Sequence, residues 1–537
     1  MLIFASEYQK RAIMELRIYP IGIQNFEKLR MDGYVYVDKT AIVHRLVTTG
    51  SYYFLSRPRR FGKSLLISTL EAYFRGKREL FKGLALEQLE KNWTVRPVFH
   101  LDLNIGKYDA PDSLDKILDE ALTGWEKLYG TGAAETTFAL RFKGVIGRAV
   151  EKTGHRVAIL VDEYDKPMLQ AIGNPDLQRE YRNTLKPFYG VLKTMDGCIK
   201  LGFLTGVTKF GKVSVFSDLN NLKDISMRSD YIDICGITDE ELHRYFDDDL
   251  HRLAEAEDMS YEEVCQEVQR CYDGYHFNIK TPGIYNPFSL LNTFDAMAFG
   301  SYWFATGTPS YLVHLLKKHR YRLENIEGVE VTEDVLNSID SESTNPIPVI
   351  YQSGYLTIKD YDSEFKLYKL DYPNQEVEEG FLKYLLPFYA DVTEEEGPFE
   401  IRKFVSDVRK GDIDSFFRRF QSFFADAPYE AIIGQDPQRN TELFFQNVLF
   451  ITFKMMGFYT QVEYHTHRGR VDLVLRTDKY IYVMEFKQDG TAEEALLQIN
   501  EKGYAKPFEA DGRQLFKIGV NFSTEERNIE RWLVDAR

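Results

Sequence analysis

Residues 57–64 read RPRRFGKS and end as a phosphate-binding loop ends. Gly62 allows a tight turn, the Lys63 ammonium can reach β- and γ-phosphate oxygens, and the Ser64 hydroxyl can ligate Mg2+. The pattern G-x-x-x-x-G-K-[ST] asks for glycine at 57, where this chain has Arg57. A Gly-Lys-Ser triplet recurs by chance, so its setting decides. Apolar YYFLS (52–56) precedes it, and Leu65, Leu66, Thr69, Leu70 and Tyr73 follow at helical spacing. Strand, loop and helix then put the loop amides at a helix N-terminus, which favours a phosphate. Arg59, Arg60, Phe61 and Leu65 complete the expected nucleotide loop.

Two more stretches join it. The apolar run Val157 to Val161 is followed by Asp162-Glu163. An acid at the end of a buried strand can hold Mg2+, and the next can polarise the attacking water. The plainer alternative is a helix N-cap followed by a first-turn acid. In FLTGVTK (203–209), Thr205 or Thr208 could sense a γ-phosphate, or simply end a strand. RPRR as a direct nucleic-acid contact ranks behind both a nucleotide site and a solvated face.

A second constellation lies in GRVDLVLRTDKYIYVMEFK (469–487). Asp472 opens one strand. Glu485 and Lys487 stand two apart on the next and share a face, with Phe486 turned to the other. The turn RTDK makes the two strands a hairpin. Two carboxylates and an ammonium at a sheet end suit Mg2+ or Mn2+ and phosphodiester cleavage. The alternative is a cross-strand charged pair on a wet surface. His465 and His467 flank the site and are assigned no role.

The elements that must position these groups follow from pattern. Strands are expected at 52–56, 97–105, 157–161 and 200–207, with helices near 112–129, 135–152 and 176–195. The alternation implies a parallel α/β sheet. Thr238 to Glu241 reads as a capping box opening a mostly helical stretch. The polar, proline-containing 336–348 reads as a linker, and 349–430 as short strands followed by aromatic-rich helices. At the C-terminus a helix, strands at 459–465, 471–476 and 480–487, a helix near 491–504 and the strand LFKIGVNF give an α-β-β-β-α-β order. The domain division expected is 16–237, 238–345, 346–434 and 435–537.

YVDKTAIVHRLV, RPRRFGKSLL, ILVDEYDKP and GFLTGVTKF resemble the AAA-ATPase-like family of bacterial proteins, relatives of the archaeal-type P-loop ATPases. The resemblance implies a P-loop NTPase sheet with a helical and winged-helix lid, ATP with Mg2+ as cofactor, and tolerance of a non-glycine residue at Arg57. It would set Asp38 near adenine or ribose and offers Arg228 as an arginine finger. Asp472, Glu485 and Lys487 resemble the D…ExK signature of the PD-(D/E)xK nuclease superfamily, whose core is restriction-endonuclease-like. That likeness implies a further metal-binding acid at Glu442, a phosphate contact at Arg470, and a Q-x6-Y-like element in Gln498 and Tyr504.

The net charge of −15 argues against binding nucleic acid over the whole surface, though not in a local channel. Four cysteines without C-x-x-C spacing read as reduced thiols. No apolar run suggests a membrane span, and no signal peptide is read, although Met14 could be the true start. The expectation is a cytoplasmic, bacterial ATPase with a DNA-cleaving C-terminal domain that is gated by ATP. DNA is favoured over RNA as partner, with homo-oligomers through the ATPase part and no membrane. The rival is an ATP-dependent switch whose C-terminal domain binds nucleic acid without cutting it.

Overall fold

Tyr52–Ser56 (β1) and Val157–Asp162 (β3) bury every residue, as strands covered on both faces must. With Val98–Asp102 (β2), Ile199–Gly206 (β4) and the two-residue Lys223–Asp224 (β5) they form a parallel sheet ordered β2-β3-β4-β1-β5. β5 was not foreseen, because two charged residues carry no strand pattern.

A computed structural model describes residues 17–209, 221–304, 321–337, 345–389, 395–425, 437–457, 459–464 and 471–536, with isolated positions at 312, 313, 315, 316, 319 and 393. These divide into two units, one drawn from 1–306 and 329–376, the other from 307–328 and 377–537.

In the first unit the strand order matters more than the strand count. β4 lies between β1 and β3, with Leu55 beside Thr205 and Leu204 beside Val161. The ends of the three strands therefore open side by side. Helices Ser113–Tyr129, Phe138–Thr153 and Pro175–Thr194 bury their apolar stripes with Phe99, Ile159 and Leu204, and Phe142 stacks on Phe188 at 4.6 Å. Helix Lys63–Phe74 packs against β2 and β3.

The expected capping box is present, with Thr238 and Glu241 bonding each other's backbone, and opens helix Asp239–Glu257. Helices Tyr261–Tyr272 and Pro287–Ala296 share its core of Phe246, Leu250, Val268 and Phe294. Val329–Thr332 (β6), Thr357–Asp362 (β7) and Leu367–Asp371 (β8) form an antiparallel sheet ordered β6-β8-β7. That sheet bridges the stretch where the sequence suggested a linker. The polar run therefore interrupts a folded element, because β6 before it finds its partner β8 after it.

Buried Glu376 ties this unit's lid together. Its Oε1 accepts the Tyr302 amide at 2.6 Å and the Trp303 amide at 2.8 Å, and its Oε2 accepts the Ser289 hydroxyl at 2.7 Å. Burial pushes its carboxyl up to about 7, and these bonds offset that only in part.

In the second unit, Gln461–Tyr464 (β9), Leu473–Arg476 (β10), Tyr480–Gln488 (β11), Gln514–Ser523 (β12) and Asn528–Ala536 (β13) give the sheet β13-β12-β11-β10-β9, with only β11–β12 parallel. Helix Ala492–Lys502 packs on β11 and β12. Adding helix Pro437–Gly457 gives the expected α-β-β-β-α-β order. β13 is an extra edge strand whose charged residues hid it. Helices Gly397–Lys410 and Ile413–Ala425 also belong to this unit. Phe417 stacks on Trp532 at 5.3 Å, Trp532 Nε1 donates to Asp414, and the Tyr482 hydroxyl donates to Val408 O. The aromatic-rich stretch is thus a helical cover for this sheet.

A titration test follows from Glu376. Its folded pKa lies above the ordinary carboxyl value, so its contribution is favourable at low pH and is lost as pH rises through about 7. Glu376→Gln keeps the acceptor for both amides and removes the charge. Unfolding monitored from pH 5 to pH 8 is expected to show the variant gaining on the parent, by up to about 3 kcal/mol at the upper end. Parallel curves would contradict this.

Candidate functional sites

The phosphate loop leaves β1 at Ser56 and enters its helix at Lys63. Gly62 has φ 93°, which only glycine adopts freely, and no side chain caps the helix N-terminus. The first-turn amides are thus left for a ligand. Ser64 and Leu65 occupy that turn, half-buried. Lys63 is buried, with Nζ donating to Arg57 O and Pro58 O at 3.1 Å each and standing 3.5 Å from Glu163 Oε1.

Opposite the loop, Asp162 is buried at the end of β3 and accepts the Thr205 hydroxyl from β4. Glu163 follows at φ 52°, a left-handed conformation costly for a non-glycine residue. The fold therefore brings Lys63, Asp162, Glu163 and Thr205 together from three strand ends. Thr208 goes elsewhere, its hydroxyl and amide both donating to Asp165 at 2.6 Å. Asp165, fully buried with its carboxyl pushed up to about 6 by burial, also accepts the Val207 amide at 3.3 Å. It pins the end of β4. Sequence reading passed over it, although its place in DEYD was the available signal.

RPRR is not a solvated face throughout. Arg57 is 1% exposed. Its Nη1 donates to Ser56 O at 3.0 Å and Ser226 O at 2.6 Å, its Nη2 to Ile232 O at 3.2 Å, and its guanidinium lies 3.9 Å from the Phe277 ring centroid. The residue in the glycine position thus turns its side chain into the core. Phe61 is also buried, edge-on to Tyr275 and Phe277, so its offer to a phosphate is backbone only. Arg59 and Arg60 are exposed, and Arg60 lies over Phe288 at 4.0 Å.

A mostly apolar cavity of about 100 Å³ adjoins Gly62 and Leu65, lined also by Val35, Val37, Phe246 and Leu291. Asp38 accepts hydrogen bonds from its surroundings. Its Oδ1 accepts the Thr40 amide and hydroxyl at 2.8 and 2.6 Å, and its Oδ2 the Ala85 amide at 2.7 Å. Arg228 is paired with Asp230 at 2.9 Å.

In the second unit, Asp472 directly precedes β10, and Glu485 and Lys487 lie on β11. Asp472 Oδ2 accepts the Phe486 amide at 2.8 Å, and the Asp472 amide donates to Glu485 Oε2 at 3.3 Å. Gln498, on helix Ala492–Lys502, bridges the pair, its Nε2 donating to Glu485 Oε1 and its Oε1 accepting from Lys487 Nζ. Lys487 stands 3.8 Å from Glu485. Burial pushes the Glu485 carboxyl up to about 7, with Asp472 adding and Lys487 offsetting, and pushes Asp472 up to about 6. Two crowded carboxylates that resist carrying charge side by side are a donor set a divalent cation would relieve.

Tyr504 packs in the apolar cluster of Val474, Ile481, Val483 and Ile499, so it supports the helix end. Helix Pro437–Gly457 carries Glu442, whose side chain lies outside the described residues, as do Arg470, His465 and His467. No cluster of three or more metal-ligating side chains occurs among the described residues, so Asp472 and Glu485 stand there as a pair.

Gly519, opposite Glu485 on β12, was not foreseen. A Cβ there would collide with the Ala492 carbonyl oxygen and the Leu496 amide nitrogen. Its absence lets the helix approach the sheet and lets Gln498 reach Glu485.

Comparison with known proteins finds a family match for each of the two regions. The Predicted AAA-ATPase family model matches residues 20–216, and the PD-(D/E)XK nuclease superfamily model matches 440–532. The chain is 34% identical over 533 residues, 97% of its own length and all of the relative's, to an uncharacterized protein in the vnfD 5' region of Azotobacter chroococcum mcd 1. The chain belongs to this family of predicted AAA-ATPases that carry a C-terminal PD-(D/E)XK nuclease superfamily domain.

Gly519→Ala tests the close helix approach. It is expected to destabilise the second unit by about 1–3 kcal/mol, as overpacking does, visible as a lower unfolding midpoint. An unchanged midpoint would contradict it.

Proposed function

We propose that the chain binds and hydrolyses ATP in its first unit and cleaves DNA in its second, with ATP state gating the cut. The observation that carries this is convergence. Lys63, Asp162, Glu163 and Thr205 meet at the open end of one sheet, and Asp472, Glu485 and Lys487 meet across the neighbouring strands β10 and β11 of the other.

In this reading the β- and γ-phosphates lie against the first-turn amides of helix Lys63–Phe74, with Arg59 and Arg60 nearby. Lys63 exchanges the carbonyl oxygens of Arg57 and Pro58 for phosphate oxygens and so releases Glu163. Freed, Glu163 orients and deprotonates the attacking water, and Thr205 keeps Asp162 turned toward the site. Ser64 and Asp162 would hold Mg2+ here, and Asp472, Glu485 and Glu442 would hold Mg2+ or Mn2+ in the second unit. Bound at either place, the ion stabilises charge that builds on phosphate oxygens and, at the nuclease site, lowers the pKa of its water. The apolar cavity beside Gly62 suits a purine base. At the nuclease site Lys487 orients the nucleophile and adds positive charge, with Gln498 fixing both Lys487 and Glu485. Arg470 would contact the scissile phosphate. Gating through oligomerisation or lid closure, in a bacterial cytoplasm, completes the proposal.

Two assays test it. Lys63→Ala is expected to weaken ATP binding at least about tenfold, read by titration calorimetry, whereas Glu163→Gln keeps binding and slows turnover about a hundredfold or more. Unchanged affinity in Lys63→Ala would end the nucleotide reading. In a plasmid-nicking assay with Mg2+ or Mn2+, with and without ATP, wild type is expected to nick and Glu485→Ala and Lys487→Ala to bind DNA without nicking. If wild type shifts the plasmid but leaves it intact throughout, the C-terminal domain is a nucleic-acid-binding module in an ATP-driven switch.

A further inference from the structure

The chain doubles back onto Lys487 directly after it. β11 ends at Gln488, and Asp489, Gly490 and the N-cap Thr491 lead straight into helix Ala492–Lys502, which carries Gln498. Lys487 Nζ donates to Gln498 Oε1, so the lysine spans the angle that this turn sets between strand and helix. Gly490 packs on the lysine itself. A Cβ on Gly490 would stand 3.2 Å from Lys487 Cβ and 3.7 Å from its Cγ. The Gly490 backbone therefore walls in the aliphatic stem, and its position limits where the ammonium can go.

Asn521 holds Gly490 in that place. It is the neighbour of Lys487 across parallel β11 and β12 and is 3% exposed. Its Oδ1 accepts the Gly490 amide at 3.1 Å, and its Nδ2 donates to Glu530 Oε2 on β13 at 2.6 Å. A carboxylate can only accept, so Glu530 decides which way round the Asn521 amide stands and turns its oxygen to Gly490. The rest of the turn has its own ties. The Asp489 amide donates to Phe522 O at 2.8 Å, and the Asp489 carboxylate accepts the Thr524 amide at 2.7 Å and the Thr524 hydroxyl at 2.6 Å. The turn is thus closed at Asp489, while Asn521 acts on the residue that touches the lysine.

We propose that Asn521 is a positioning residue of the nuclease site, which acts through Gly490 to set the stem of Lys487 and keep its ammonium beside Glu485. This rests on the reading of Lys487 as the nuclease lysine. It also gives β13, which lies outside the α-β-β-β-α-β core, a part in the site, because Glu530 orients Asn521. Loss of one hydrogen bond at half-buried Gly490 leaves the turn closed but lets the stem swing, and a misplacement of about 1 Å can cost about a hundredfold in rate.

The test compares the full chain with Asn521→Ala and with the double variant Asn521→Asp/Glu530→Gln. The double variant exchanges the two groups at constant net charge, so that the carboxylate at 521 accepts from both Gly490 and the amide at 530. An amine-reactive reagent, read by peptide mass spectrometry, is expected to label Lys487 several-fold faster in Asn521→Ala, with Lys479 and Lys502 as internal controls, and at the parent rate in the double variant. In single-turnover plasmid nicking with Mg2+, Asn521→Ala is expected to be about tenfold slower at unchanged DNA affinity, and the double variant to recover. An unchanged labelling rate at Lys487, a rate loss that only follows a loss of DNA affinity, or no recovery in the double variant would each overturn the proposal. A wild type that does not nick would end the nuclease reading instead, and the labelling would still decide whether Asn521 holds Lys487.

Discussion

A parallel sheet covered on both faces has one kind of place for polar chemistry, the ends of its strands. β1 and β3 bury every residue, so a charged group is confined to a strand end, as Asp162 is at the last position of β3. The loop after β1, the acids after β3 and the threonine near the end of β4 are pressed to one edge by that constraint. The order β2-β3-β4-β1-β5 then decides which of them meet. Because β4 separates β1 from β3, Thr205 lies next to Asp162, and the gap between loop and acids is one strand wide.

Within that frame the loop is braced from several sides. Arg57 reaches Ser226 and Ile232, Trp303 Nε1 donates to Arg59 O at 3.2 Å, and the Gly236 amide donates to Phe61 O at 3.2 Å. Gly354 lies so close to Pro58 that a Cβ there would clash with its ring. Segments from several parts of the first unit therefore hold the loop's backbone while leaving the helix N-terminus uncapped. A rigid loop with open amides is pre-organised for phosphate, since little ordering is left to do on binding.

The second unit solves a different problem. Its sheet carries Glu485 inside β11, 3% exposed, rather than at an open strand end. A carboxylate so placed needs donors and a nearby positive charge: Gln498 supplies a donor from a helix that Gly519 admits to the sheet, and Lys487, two residues on in β11, supplies the charge. The aromatic helices 397–425 close the sheet elsewhere, through contacts such as Phe417 on Trp532.

Much of this was legible in the chain alone. Apolar runs bounded by Asp162-Glu163 and by Gly62-Lys63-Ser64 located strands β1 and β3 and the polar groups at their ends, because burial on both faces demands unbroken apolar strands. The D…ExK spacing fixed which C-terminal residues share a face, because side chains alternate along a strand. Other features depended on packing between segments far apart in sequence. The choice of Thr205 over Thr208, the inward turn of Arg57, the use of Asp38 as a backbone anchor and the pinning role of Asp165 follow from strand order and from which amides happen to lie nearby. The edge strands β5 and β13 and the clearance at Gly519 were hidden for the same reason. Periodicity reports which face of an element is buried, while the partner that buries it is decided only when the whole chain has folded.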